Sequence, residues 1–568
     1  MAVKLLPSHL KSFEQKPKSK ELSMEFDTVL IPPRRANSIA KGLWPDRTIN
    51  EDFDACIADH PQTVAITALH VESDTVQRFT YNELGIMVDR IAVGLVRLGV
   101  GRADVVSLQL PNWWQFTATF LACARIGAVF NPLMPILRER ELSFMLMRCT
   151  SKVLIVPKVF RNFDFEQMSE TLKKDLPDLQ TVVVGGDRAN SFEALLSGPE
   201  WELESDAADI LTRNRPSPDD VIQLMFTSGT TGEPKGVMHT HNTLLSNMAP
   251  FTKRMNLNGD ETILMASPMA HQVGFMYGMM LPIALRARSV LQDVWEPVRA
   301  IELIRAEGCT FTAASTPFLA DLTKTVAESG ITVPSLRTFQ CAGAPIPGAL
   351  VENARATLGT KIVSAFGMTE VGMATMIDVN DDDIRAATSD GCALPGIEVK
   401  VVDQSGKTLP PGEEGKLLIR GCSNFGGYLN RSQWNDTDAD GWFGSGDLAR
   451  MDAQGYIRIS GRTKDVIIRG GENIPVVEVE ALLYRHPAVE QVAIVAYPDE
   501  RLGERACAML TLKPGQKLDL TDVSEFLKEH KIAIPFIPER VIVLETMPTT
   551  ASGKVQKFKL RDMAKAAA

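Results

Sequence analysis

The 568-residue chain has no cysteine framework. Its eight cysteines (Cys56, Cys123, Cys149, Cys309, Cys341, Cys392, Cys422 and Cys507) form no C-x-x-C pair and no zinc-ligand spacing. A disulfide scaffold belongs to short secreted chains, so these residues read as small buried hydrophobes of a reducing compartment. Positive charge is not in excess either: 60 Lys+Arg against 70 Asp+Glu leave a net −10, with nothing to spare for coating nucleic acid. The leading segment, MAVKLLPSHLKSFEQKPKSKE, holds no apolar core and no small-residue cleavage site of the secretory kind, and a cytoplasmic location is expected. There is no internal repeat and no Walker A loop: G-x-x-x-x-G-K-[ST] does not occur, and the Gly-Lys at 553–554 is followed by Val555.

One stretch lacks charge altogether. Residues 263–285 contain no Asp, Glu, Lys or Arg and are long enough to cross a bilayer. Pro268, Pro282, His271 and Gln272 would burden a lipid-facing helix. Five methionines (Met265, Met269, Met276, Met279, Met280) suit an adaptable interior or pocket wall, and buried core is the expected outcome.

The rest is ordinary globular composition, 45% hydrophobic and 23% charged, at a length of roughly three to four domain-sized units. After a polar lead-in over 1–45, helix-like and strand-like patterns alternate. A helix is predicted over 81–98 with Asn82 as its N-cap, and another over 116–126; strands are predicted over 105–110, 128–132, 152–157 and 180–184. This alternation argues for an α/β protein with largely parallel sheets. Between 391 and 421 the texture becomes β-rich with turn signals. Beyond 461 comes a compact α+β unit: helix 477–485, strands 491–497 and 506–512, helix 520–530, strand 540–544.

The sharpest local feature is TSGTTGEPKG at 227–236, which follows an apolar strand. Exposed backbone N–H groups, four hydroxyls and one lysine are the ingredients for holding a polyphosphate. Four further segments accompany it: FGMTE at 366–370, WFGSGDL at 442–448, GRTKDVIIRGGEN at 461–473 and PTTASGK at 548–554. Together, in this order and spacing, they resemble the adenylate-forming superfamily of acyl-CoA synthetases, luciferases and peptide-synthetase adenylation domains. The resemblance spans nearly everything from residue 45 onward and is closest to bacterial medium-chain or cyclohexanecarboxylate–CoA ligases. The chain departs from the usual pattern at Thr549, where an Arg is common, and ahead of Pro538, where a Lys is.

The resemblance implies a body over 1–463, built of two stacked αβαβα-type subdomains and a β-barrel-like subdomain at about 391–460. It also implies a small mobile C-terminal domain over 464–568, turning about a hinge at Lys464. It assigns Thr227, Ser228, Gly229, Thr230, Thr231, Gly232 and Lys235 to the ATP phosphates. Gly343, Ala344 and Pro345 would face Phe366, Gly367 and Met368 across the adenine. Thr369 would meet the α-phosphate, and Glu370 with Thr230 would hold Mg2+. Asp447, assisted by Arg462, would take the ribose hydroxyls. Lys554 would bridge the acid and the α-phosphate, and His271 would gate the acyl site. Phe275, Met276 and Ala342 would line the acyl pocket, and Gly470, Gly471 and Glu472 a coenzyme A channel.

Physical chemistry supports such roles. A carboxylate attacking a phosphate brings two anions together, so preorganised cations and donors are the effective catalyst and no general base is needed. Paired glycines leave room for a pantetheine arm. The expected activity is an ATP- and Mg2+-dependent acid:CoA ligase for an apolar medium-chain, short-chain or alicyclic acid. Its alternatives are an aromatic-acid ligase, an enzyme loading a carrier protein, or a catalytically silent scaffold of the same fold. A homodimer, and an acetyltransferase and deacetylase acting on Lys554, are further partners the resemblance implies. His239-x-His241 is expected to be a polar pair rather than half a metal site. Lys531 and the run 381–383 are expected to be solvated faces.

Overall fold

The computed structural model describes residues 26–227, 233–343, 346–469, 472–499, 501–550 and 553–567. Two large sheets dominate the body. In the first, six parallel strands run in the order Lys361–Met368, Thr338–Ala342, Phe311–Ala314, Thr262–Met265, Arg288–Gln292 and Val64–His70, with antiparallel strands at both edges. In the second, Val221–Thr227, Val129–Pro132, Val105–Leu108, Ser151–Pro157 and Gln180–Val184 are parallel, and Lys235–Thr240 adds antiparallel to Val221–Thr227. The helix Trp114–Arg125 is buried from Trp114 through Ala124. A helix apolar on every side belongs inside, and one continuous core takes in this helix together with strands of both sheets.

A four-stranded antiparallel sheet follows: Ile397–Val402, Glu414–Gly421, Phe443–Met451 and Ile457–Arg462. Beyond it, Ile467–Arg469, Glu472–Ile474, Gly503–Leu512, Val489–Asp499 and Arg540–Val543 make a five-stranded sheet with interiors of its own, distinct from the body's core. Separate interiors mark units that could fold apart.

Local chemistry moves several expected boundaries. The long helix spans Tyr81–Arg97, and its N-cap is Thr80, not Asn82. Thr80 Oγ1 accepts from Glu83 N at 3.2 Å, and Thr80 N donates to the Glu83 carboxylate at 2.8 Å, a capping box that satisfies two orphan donors. The strand expected over 105–110 ends at Leu108. Residues 263–285 break into a strand end, the short helix Gln272–Phe275, a π-helical turn Met276–Met280 and the helix Leu281–Leu285. No described helix is long and apolar enough to cross a membrane.

Residues 381–383 are not a solvated face. Tyr456 OH donates to Asp381 at 2.8 Å, Asp382 caps the helix Asp383–Thr388, and Asp383 pairs with Lys361 at 3.1 Å and with Arg355. Seven of the eight cysteines are buried and all are free. Burial pushes the thiols of Cys56, Cys149, Cys309 and Cys341 up to about 12 and that of Cys507 up to about 11.

Candidate active site

Thr227 and Lys235 sit opposite each other where two antiparallel strands open into the Gly-rich loop. Lys235 Nζ lies 4.7 Å from the centre of the Tyr428 ring and 5.4 Å from that of Trp434, a cation held between two π faces. Arg431 pairs with Glu233 at 2.6 Å and fixes the loop's far side. Ser228, Gly229, Thr230, Thr231 and Gly232 lie outside the described residues, so Thr230 as a metal ligand lies there too.

Strand Lys361–Met368 delivers Phe366, Gly367 and Met368 to the turn at Thr369 and Glu370. A side chain at Gly367 would meet the Gly372 carbonyl oxygen at 2.3 Å, so only glycine permits this reversal. The turn is held from beneath. His239 Nε2 lies 2.7 Å from Thr369 O, and Phe425 N donates to Glu370 O at 2.7 Å. Burial lowers His239 to about 4, so the ring is neutral and its Nε2–H donates, leaving Nδ1 facing Thr243 Oγ1 at 3.0 Å. The expected polar pair at 239 and 241 is therefore a structural support, and no metal-binding cluster of His, Cys, Asp or Glu occurs among the described residues.

Glu370 is 6% exposed, and Tyr428 OH donates to its Oε1 at 2.8 Å. Burial raises its carboxyl above the usual range, opposed first by that hydrogen bond and then by the fields of Lys235 and Arg462. A single buried carboxylate suits Mg2+, which keeps several waters and takes substrate phosphates as further ligands.

Asp447 and Arg462 are cross-strand partners. Asp447 is 5% exposed; burial raises its carboxyl, and Arg462, with Nε 3.3 Å away, opposes the rise.

Lys554 arrives from the other unit. Its loop closes on itself: Thr550 N donates to Lys554 O at 2.7 Å, Lys554 N donates to Thr550 Oγ1 at 3.0 Å, and Thr549 bridges Val555. The loop keeps its shape with Thr549 where an Arg is usual. Gly553 takes φ +78°, and a Cβ there would meet Pro317 Cγ at 3.0 Å and Ser315 Oγ at 3.1 Å. The side chain reaches Gly343, itself at φ +92°, where an added Cβ would lie 3.3 Å from Lys554 Cε. Burial lowers the ammonium to about 8, Arg462 pushes the same way, and Asp447 and Glu370 pull back. His271 feels burial first and the Lys554 charge second; its pKa falls to about 3, so the ring is neutral although partly exposed.

The structure thus gathers Lys235, Gly343, Glu370, Asp447, Arg462, Lys554 and His271 around one space. Phe275 is fully buried, its ring 4.9 Å from Phe120 and 6.4 Å from Phe130, with Met276 and Ala342 buried nearby in the same core. Lys464 falls in the turn Thr463–Asp465, whose Asp465 pairs with Arg561 of the final helix. Ala344, Pro345, Gly470 and Gly471 lie outside the described residues; Glu472 opens the strand Glu472–Ile474. Tyr428, Trp434 and His239 were not legible as site residues, since each acts through another residue. The one signal for Tyr428 was its place directly after a Gly-Gly pair, in the strand Gly427–Tyr428 that pairs with Lys235–Thr240.

Fixed cations around a buried carboxylate pair suit the transfer of a nucleotidyl group to an acid, the chemistry of adenylate-forming enzymes. The chain belongs to the AMP-binding enzyme family, whose model matches residues 53–429, with the AMP-binding enzyme C-terminal domain over 478–554. It is 36% identical over 545 residues to the medium-chain fatty-acid–CoA ligase of Escherichia coli, covering 95% of each chain. To a salicylyl-CoA synthase / salicylate adenylyltransferase of Streptomyces it is 32% identical, covering 92% of this chain and 94% of the other. ATP-bound MatB from Rhodopseudomonas palustris shares the fold: TM-score 0.78 at 24% identity, over 92% of this chain and 100% of that one.

Proposed function

We propose that this ATP-dependent acid–CoA ligase activates a mainly apolar carboxylic acid, medium-chain or alicyclic, in two half-reactions. In the first, the carboxylate attacks the α-phosphorus, the bond to the β-phosphate oxygen breaks and pyrophosphate leaves. In the second, the thiol of coenzyme A attacks the acyl carbonyl and AMP leaves.

The observation that carries the reading is the seating of Lys554 against Gly343, with Asp447, Glu370 and Arg462 as its charged surroundings. A cation there offsets the charge that gathers as acid and α-phosphate meet. Thr369 donates to that phosphate, Asp447 accepts from the ribose hydroxyls with Arg462 beside it, and Phe366 stacks on the base. Lys235 and the loop at 227–236 receive the pyrophosphate. Glu370 would hold Mg2+, which supplies charge neutralisation at the phosphates. His271 stays uncharged at the mouth of the acyl site and places no second cation beside Lys554.

After adenylation the unit over 464–568 turns about Lys464, withdraws Lys554 and brings 470–472 towards the pantetheine path. That the body and this unit have separate interiors supports such a rotation. The test is a screen of carboxylic acids by coenzyme A-dependent AMP release, with carrier proteins offered as competing acceptors. Turnover of octanoate- or cyclohexanecarboxylate-like acids with free coenzyme A is expected. Release of AMP only with a carrier protein overturns the reading.

A further inference from the structure

The segment 263–285 holds no charged residue, yet it is not without polar groups. Gln272 is 5% exposed and both atoms of its amide are buried without a hydrogen-bond partner among the described residues; the Tyr277 hydroxyl is in the same state. A third such group lies on the strand Thr338–Ala342: Gln340, 0% exposed, has neither its amide oxygen nor its nitrogen paired among the described residues.

Two observations put Gln340 in the layer occupied by this segment. Its neighbour Cys341 turns its sulfur to Thr316 of the helix Thr316–Ser329, at 3.9 Å, so strand alternation sends Gln340 and Ala342 to the opposite face. Gln340 is also in register with Ala313, which shares a face with Phe311. The Phe311 ring contacts that of Phe251 at 6.3 Å, and Phe251 stacks on Tyr277 at 4.4 Å. The helix Gln272–Phe275 packs on the same strand, Phe311–Ala314. The elements that carry these three uncharged hydrogen-bonding groups therefore pack on one face of the strands Phe311–Ala314 and Thr338–Ala342. Buried polar groups are nearly always paired, by protein, ordered water or ligand, so three on elements that share one face call for a partner from outside the chain. π-Helical turns recur at functional sites.

We propose that Gln340, with Gln272 and Tyr277, forms a polar subsite at the far end of the acyl pocket and reads one uncharged oxygen, a hydroxyl or oxo group, on an otherwise hydrocarbon acid. The inference rests on the ligase reading above and adds the substrate's substituent to it. An amide both donates and accepts, matching either group. An uncharged substituent fits, because 263–285, 311–314 and 338–342 hold no Asp, Glu, Lys or Arg to pair with a charged one. Gln340 precedes Gly343, where Lys554 rests, by three residues of extended chain, roughly 10 Å. The oxygen accordingly sits well away from the carboxylate, not on the α-carbon.

The test compares octanoate, 2-hydroxyoctanoate, 8-hydroxyoctanoate and 7-oxooctanoate in coenzyme A-dependent AMP release by the full chain and by Gln340→Leu. The distally oxygenated acids are expected to exceed octanoate in kcat/KM by ~10-fold or more, because a site built to hydrogen-bond rejects the analogue lacking its partner. In Gln340→Leu that ratio should invert, with 2-hydroxyoctanoate following octanoate in both proteins. Gln272→Leu should shrink the ratio without inverting it. Equal or better use of octanoate by the unaltered chain, or an unchanged ratio in Gln340→Leu, overturns the subsite and leaves the ligase intact; ordered water then pairs these amides. Release of AMP with no acid at all overturns the ligase reading instead. Calorimetric titration of octanoate and 8-hydroxyoctanoate then still reads the subsite directly, with equal affinities counting against it. Should Gln340→Leu not fold, Gln340→Met supplies the same comparison.

Discussion

Asp447 and Arg462 face each other across one antiparallel rung, a buried carboxylate 3.3 Å from a half-exposed guanidinium. Burial holds the carboxyl up, and the guanidinium that restrains the rise is a partner that can itself turn towards a nucleotide.

Asp447→Asn keeps the shape and removes the charge. Hydrogen bonds to a charged acceptor are worth about 1.5–3 kcal/mol, so kcat/KM for ATP should fall by roughly 10- to 100-fold. Acid-dependent ATP–pyrophosphate exchange measures it. Melting should be unchanged or slightly higher, because a buried charge is gone.

The free enzyme should lose adenylation as pH rises through about 8, the value to which Lys554 is lowered. Protonated lysine is the useful form, so kcat/KM for the acid is flat below that pH and declines above it. In Lys554→Arg the guanidinium stays charged, and the alkaline decline should vanish even though the absolute rate is low. Lys554→Ala should abolish adenylation yet still convert supplied acyl-adenylate to thioester; equal loss in both halves would refute a role confined to the first.

Tyr428→Phe deletes the donor to Glu370. The buried carboxyl then rises further, and the apparent requirement for Mg2+ should increase by about 10-fold. Titration of activity with Mg2+ at fixed ATP reads it, and an unaltered requirement would separate Glu370 from the metal.

His239 and His241, both lowered to about 4 in the fold, predict an acid-labile body. Above about 6.5 both are neutral folded and unfolded. As pH falls from there towards 4 the unfolded chain takes up protons that the folded one refuses, so stability declines. The melting temperature should drop by several degrees from pH 7 to 5, and His239→Gln should flatten that slope.

Gly553→Ala forces a side chain onto Pro317 and Ser315 at a left-handed φ. The lysine loop should seat poorly, slowing adenylation by ~10-fold or more, while the thioester step from supplied acyl-adenylate proceeds normally. Loss of both steps would point to misfolding.

Much of this was legible in the sequence wherever chemistry needs small residues in a row. The loop at 227–236, the Gly-flanked Asp447 and the lysine of 548–554 stand out because backbone donors and tight turns demand that composition, and the alternation of 105–184 reads as parallel sheet. What stayed hidden depends on neighbours distant in sequence. Thr80 outcompetes Asn82 as a cap because Glu83 answers it. Asp381 and Asp383 are structural because Tyr456, Lys361 and Arg355 come to meet them. Tyr428 and Trp434 join the site only when a strand pairing sets them beside Lys235. That Gln272 and Tyr277 find no hydrogen-bond partner among the described residues was not legible, since a one-dimensional pattern records composition and not pairing.

The buried cysteines carry a last consequence. A thiol reacts as thiolate, and those at Cys56, Cys149, Cys309, Cys341 and Cys507 hold their protons far above neutral pH. For an acid–CoA ligase, this means that none of the five is a ready thiolate to rival the thiol of coenzyme A. In the two half-reactions proposed above, the mixed anhydride would then wait for the thiol admitted from outside.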